Sequence, residues 1–118
     1  MKPNVAIISN DITFPMYFKN DNYEILVITH FSNEEIHAKI ISTRSKLIIL
    51  DGTFSEMSSL EIIHDLRLNE KIELPIWFFP EITSNDYITK SYTLGVNKIY
   101  YKPFDPVIIS NEIIAYLL

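Results

Sequence analysis

The chain has 118 residues, of which 47% are hydrophobic and 21% charged, with six prolines, two glycines and no cysteine. That length suits one compact domain burying about two thirds of its unfolded surface. The composition excludes disulfides and cysteine-based zinc sites, and with glycine only at Gly52 and Gly95 it excludes every clustered-glycine phosphate loop. The formal charge of −5, with ten basic residues scattered from Lys2 to Lys102, argues against a sequence-independent nucleic-acid binder. No apolar run approaches the ~18 residues of a membrane span, and the apolar stretch after Lys2 is too short for a signal peptide. A cytoplasmic protein with neither nucleic acid nor membrane as partner is expected.

In chain order, the first apolar run is Val5-Ala6-Ile7-Ile8. It is followed by residues 12–22, where Pro15 permits a helix only if the helix begins close to it. The second run, Ile25-Leu26-Val27-Ile28, precedes Ser32-Asn33-Glu34-Glu35, a capping box that opens a helix through Ile36, Ala38, Ile40 and Ile41. The third run, Leu47-Ile48-Ile49-Leu50, precedes a helix read from Met57, Leu60, Ile63 and Leu66 or Arg67, ending near Asn69. After the fourth run, Ile76-Trp77-Phe78-Phe79, Ser84 caps a helix to Leu94, and Gly95 stands at the left-handed position beyond its end. The fifth run, Ile99-Tyr100-Tyr101, leads to Asp105-Pro106, an N-cap with proline at the first helical position, and a last helix through Ile109, Ile113, Ala115 and Tyr116.

Continuous apolar runs rich in β-branched residues describe parallel strands buried on both faces. The expected architecture is an α/β (βα)₅ three-layer sandwich, one domain over residues 1–118, with a parallel five-stranded sheet. Ligands of such sheets bind beyond the carboxyl ends of the strands. That places the candidate site at Ser9-Asn10-Asp11, Asp51-Gly52-Thr53, Pro80-Glu81 and Lys102-Pro103.

The stretch Gly95-Val96-Asn97-Lys98-Ile99-Tyr100-Tyr101-Lys102-Pro103-Phe104 carries the most specific motif in the chain. Together with Leu47-Ile48-Ile49-Leu50-Asp51, Met57, Glu61 and Leu74-Pro75-Ile76, it resembles the receiver domain of bacterial two-component response regulators over essentially the whole chain. The resemblance implies a flavodoxin-like sheet in the order 2-1-3-4-5 and phosphoryl transfer from a histidine kinase or a small phosphodonor onto an aspartate. Asp51 would be the phosphoacceptor and Lys102 the cation for the phosphoryl oxygens. A Mg²⁺ ion would be held by Asp51, the carbonyl of Thr53 and an acidic pair after the first strand.

The sequence departs from that pattern around Asp51. Counting along the first strand puts Ser9 and Asn10 at the acidic pair, and a slip of one residue makes it Asn10 and Asp11, so Mg²⁺ binding is expected to be weak or lost. The hydroxyl residue after the fourth strand is Pro80, the switch aromatic is Ile99 with Tyr100 one place off, and the next loop reads Ser58-Ser59, with Ser55 at its usual proline. Asp51 and Lys102 are then free to form a plain buried ion pair. His30, His37 and His64 show no metal-ligand spacing and are expected at ordinary surface or helix positions.

The reading is an atypical receiver, not an enzyme, acting as a phosphorylation-independent interaction module for a signalling protein or a histidine kinase. The alternative is a conventional receiver phosphorylated on Asp51 with Mg²⁺, and a third is a flavodoxin-like cofactor binder. Tyr87, Tyr92, Tyr100 and Tyr101 lie on the expected fourth helix and fifth strand, serving core packing and a partner contact, and a homodimer would form through the fourth helix, fifth strand and fifth helix. The last helix ends near Leu118, consistent with a stand-alone receiver or a piece of a longer protein.

Overall fold

The first, third and fourth apolar runs become strands buried on both sides, whereas the second and fifth lie at the sheet edges and stay partly exposed. A computed structural model describes residues 2–29, 32–53 and 59–118. Strands β1 (Asn4–Ile8), β2 (Glu24–Ile28), β3 (Leu47–Asp51), β4 (Ile76–Phe79) and β5 (Lys98–Ile99) are all parallel and lie in the order 2-1-3-4-5. Alternate residues feed two cores. Ala6, Ile8, Ile28, Ile48, Leu50, Ile76 and Phe78 meet α1 (Asn33–Ser42), α2 (Ser59–His64) and α3 (Asn85–Leu94) on one face. On the other, Val5, Ile7, Leu47, Ile49, Trp77 and Phe79 meet α4 (Pro106–Leu117) and one 3₁₀ turn (Phe14–Phe18). Among the described residues no helix is long and apolar enough to cross a membrane.

The caps form as the sequence indicates. Ser32 accepts from the Glu35 amide at 3.3 Å and its hydroxyl donates to the Glu35 carboxylate at 3.4 Å. Ser84 accepts from Tyr87, Asp105 from Val107, and Gly95 takes a φ of 115° after α3. The expectations for His30, Ser55, Met57 and Ser58 lie outside the described residues.

Two elements are shorter than expected. Residues 12–22 make only the 3₁₀ turn, because both ends of the segment are used for local side-chain turns. Asp11 accepts from Thr13 before the turn, and Asn20 accepts from the Asn22 amide after it. Phe14 and Phe18 are buried, and the Tyr23 hydroxyl donates to the Phe18 carbonyl at 2.6 Å. The fifth strand stops at Ile99. Tyr100 still donates to the Phe78 carbonyl at 3.0 Å, but the next donor in a parallel ladder would be the N–H of residue 80, and Pro80 has none.

Arg67 ties the amino end of the sheet together. Its helix widens into a π turn over Asp65–Asn69, and the guanidinium donates to the carbonyls of Ile72 (2.8 Å), Leu74 (2.7 Å) and Gly95 (2.8 Å) and to Asn97 Oδ1 (2.8 Å). Asn97 Oδ1 also accepts from the Ile76 amide, so the arginine joins the entries of β4 and β5. A Cβ at Gly95 would come within 2.9 Å of Arg67 Nε, which adds a steric reason for glycine to the positive φ. Arg67→Met should lower the unfolding free energy by about 3 kcal/mol in urea titrations, since it leaves several partly buried carbonyls without donors. Arg67→Lys should recover little of this, because one ammonium cannot span the same acceptors.

Candidate functional site

Asp51 closes β3 with its side chain wholly removed from solvent. A carboxylate there needs compensating donors, since burying an unpaired ion costs several kcal/mol. Lys102 Nζ donates to Oδ1 at 2.7 Å, while the Ser9 and Thr53 hydroxyls each donate to Oδ2 at 2.7 Å. Ser9 is itself oriented by the Asp11 amide, which donates to its Oγ at 3.0 Å. The loops after β1, β3 and β5 thus meet at this one group. Lys102 also donates to Glu81 Oε1 at 2.6 Å, so one ammonium bridges two carboxylates. Burial by itself would lower the lysine pKa, but its hydrogen bonds and charge contacts with Asp51 and Glu81 outweigh that and raise it above the ordinary 10.5.

The backbone beside Asp51 is equally confined. Gly52 N–H donates to the Phe79 carbonyl at 2.9 Å. A Cβ at Gly52 would fall 2.8 Å from both that oxygen and Pro80 Cα and 2.9 Å from the Glu81 nitrogen, all main-chain atoms that cannot yield cheaply. Phe14, Phe79 and Phe104 form an edge-to-face cluster beneath, with Lys102 Nζ 5.4 Å from the Phe14 ring centre.

Of the residues expected to hold a metal, Asp11 directs its carboxylate to the Thr13 amide (2.9 Å) and hydroxyl (2.8 Å), which together hold its pKa below the usual carboxylate value. Thr53, expected to contribute only its carbonyl, uses its hydroxyl on Asp51. Asn10 stands exposed in the loop between Ser9 and Asp11. Among the described residues no three His, Cys, Asp or Glu side chains gather as a metal site. In this arrangement the donors do not fit Mg²⁺, which favours several carboxylate oxygens and waters in an octahedron. The bonds from Ser9 and Thr53 to Asp51 and the role of Glu81 escape sequence reading. The available signal was position alone, since all three lie in the loops at the carboxyl ends of the strands.

The tyrosine face divides. Tyr100 stacks on Phe79 at 5.2 Å, and Tyr87 lies 6.3 Å from Phe78, whereas Tyr92 and Tyr101 are about half exposed (49% and 53%). Burial, and then the neighbouring Glu112 carboxylate, push the Tyr100 phenol well above its ordinary pKa. Ile99 packs on the opposite face, against the α1–α3 core. His37 Nδ1 lies 2.9 Å from Glu70 and His64 3.6 Å from Asp65, both partly exposed.

The raised Lys102 pKa sets a sign for stability. Its contribution is complete below the unfolded value and is lost as pH rises through the higher folded value. Lys102→Met should therefore cost about 3 kcal/mol at neutral pH and progressively less in alkaline solution above about pH 10.4. Buried tyrosines add an alkaline slope to both proteins, so the difference between the two unfolding curves isolates the lysine.

Comparisons with known proteins agree with this architecture. No protein-family model matches the chain. The transcriptional regulatory protein CrdR of Helicobacter pylori is 26% identical over 89 residues, covering 75% of this chain and 41% of that protein. The chain thus spans about two fifths of the length of that curated relative. The response regulator receiver domain protein (CheY-like) of Methanospirillum hungatei superposes with a TM-score of 0.80 at 16% identity, covering 99% of this chain and 94% of that one. The chemotaxis protein CheY4 of Vibrio cholerae gives 0.77 at 21% identity, with both chains covered completely. A BeF₃-activated DrrB receiver domain gives 0.77 at 17% identity, covering 99% and 98%. Five parallel strands in the order 2-1-3-4-5, with Asp51 at the end of the central one, give this chain the fold of the CheY-like receiver domains of response regulators.

Proposed function

We propose that the chain is a receiver-type module of two-component signalling that works through protein contacts rather than through an aspartyl phosphate. The observation that carries this reading is the complete burial of Asp51 beneath three donors. Its two oxygens take Lys102, Ser9 and Thr53, and the side chain has no solvent-exposed surface. Attack on phosphorus needs a carboxylate oxygen that a phosphodonor can reach and cationic charge on the phosphoryl oxygens. Here the local cation is divided between Asp51 and Glu81, and Ser9 supplies a hydroxyl donor to Oδ2 where the resemblance puts a metal-binding carboxylate. Any Mg²⁺ held by Asn10, Asp11, Asp51 and Thr53 is correspondingly weak.

The module is a cytoplasmic, non-enzymatic domain whose partner is a histidine kinase or another signalling protein. The exposed Tyr92 and Tyr101, on α3 and just after β5, are assigned to that contact. A conventional phosphoacceptor is the second reading, favoured by the 2.7 Å approach of Lys102 to Asp51. A flavodoxin-like cofactor binder, the third, requires a coloured protein on purification.

Incubation with phosphoramidate or acetyl phosphate and Mg²⁺, followed by intact mass measurement, separates the first two. The expected outcome is an unmodified chain. One phosphoryl group per chain, absent from Asp51→Asn, overturns the proposal in favour of the conventional receiver.

A further inference from the structure

The two edges of the sheet are built differently. β5 is two residues long and begins with Lys98, whose ammonium lies 4.7 Å from the Trp77 ring centre. Short strands and lysine are common protections of an edge. β2 runs unbroken through Glu-Ile-Leu-Val-Ile in continuous register with β1, without lysine, proline or a bulge. Among the described residues no strand pairs with its outer side.

The backbone of that edge can be assigned residue by residue. Glu24 N–H donates to Pro3 at 2.9 Å, and the Ile28 carbonyl accepts from Ser9 at 3.0 Å. Groups in a parallel ladder alternate direction, so Glu24, Leu26 and Ile28 face β1, and the N–H and C=O of Ile25 and Val27 face outward. The side chains of the same two residues lie on the sheet face that the short 3₁₀ turn covers incompletely. Val27 is 43% exposed, Met16 60% and Ile12 84%, and with Ile25 they line a hollow of about 920 Å³ along β2.

We propose that β2 pairs antiparallel with β2 of a second copy, about a two-fold axis through Leu26, joining two five-stranded sheets into one. The occupant follows from self-complementarity. In this register Ile25 lies opposite Val27 of the second copy, and each of these pairs exchanges two main-chain hydrogen bonds using the outward groups. The four β-branched side chains then lie side by side on one face, where such cross-strand pairs are favourable. No like charges oppose one another. Glu24 is placed across from Ile28 of the second copy and is already paired with its own Lys2 at 3.7 Å. A two-fold contact repeats every favourable term twice. The inference is independent of Asp51 and its chemistry.

Sedimentation velocity over a dilution series from about 1 mM to about 1 µM, with amide hydrogen exchange read by NMR, tests the pairing. The expected result is a concentration-dependent dimer in which the amides of Ile25 and Val27 exchange slowly at high concentration and fast on dilution. Val27→Pro removes an outward donor that the β1 ladder does not use, and should abolish both effects while the sheet remains folded. Val27→Lys, which leaves the backbone intact and charges the edge, should do the same and decides the matter if the proline variant fails to fold. Tyr101→Ser, on the opposite edge, should leave the dimer unchanged. A chain monomeric throughout the series overturns the proposal. So does exchange at Ile25 and Val27 that ignores concentration, or a dimer that survives Val27→Lys.

Discussion

One negative charge withdrawn from water organises the carboxyl end of this molecule. Asp51 ends the central strand, and its burial is tolerable only because three loops deliver donors to it: Ser9 from the first, Thr53 from its own and Lys102 from the last. The fourth loop enters through Glu81, which shares the lysine. The geometry of the carboxylate thus fixes the relative positions of chain segments far apart in sequence. Replacing the ion pair with apolar groups of similar shape need not weaken the fold, whereas deleting one partner strands the other. The constraint is mutual rather than additive.

At the other end a positive charge plays the corresponding part. Arg67 gathers carbonyls from the turn after its own helix, the α3–β5 connection and the entry to β4. Neither group lies in the apolar layers that drive collapse. The two cores are nonspecific in register beyond the alternation of their side chains, and a parallel strand apolar on both faces carries little information against slippage. Polar groups with directional partners at each end supply that information.

Much of the architecture was legible because it depends on local patterns. The β-branched runs, the Ser32 and Ser84 caps, the Asp105-Pro106 start and Gly95 each act within a few residues, and each appears where the pattern puts it. The 3₁₀ turn was less legible, since Pro15 leaves helix length open and the two Asx turns flanking it compete with helix for the same residues. At the site, Asp51 and Lys102 could be singled out, and their contact is direct. The choice of Oδ2 by Ser9 and Thr53, and the diversion of Asp11 to Thr13, depend on rotamers selected by neighbours distant in sequence. The same holds for Arg67, which as a helical residue among Leu66 and Leu68 gives no sign of the carbonyls it will reach.

Pro80 has an effect beyond the hydroxyl it fails to provide. By ending the ladder between β4 and β5 it keeps the far edge of the sheet to two residues, too short to template another strand. Backbone pairing at β2 consumes the one long edge of each copy and leaves nothing comparable on the outside of the pair. Assembly through the sheet is therefore self-limiting: the chemistry that could nucleate an indefinite fibre from a two-edged sheet is confined to a closed two-fold object.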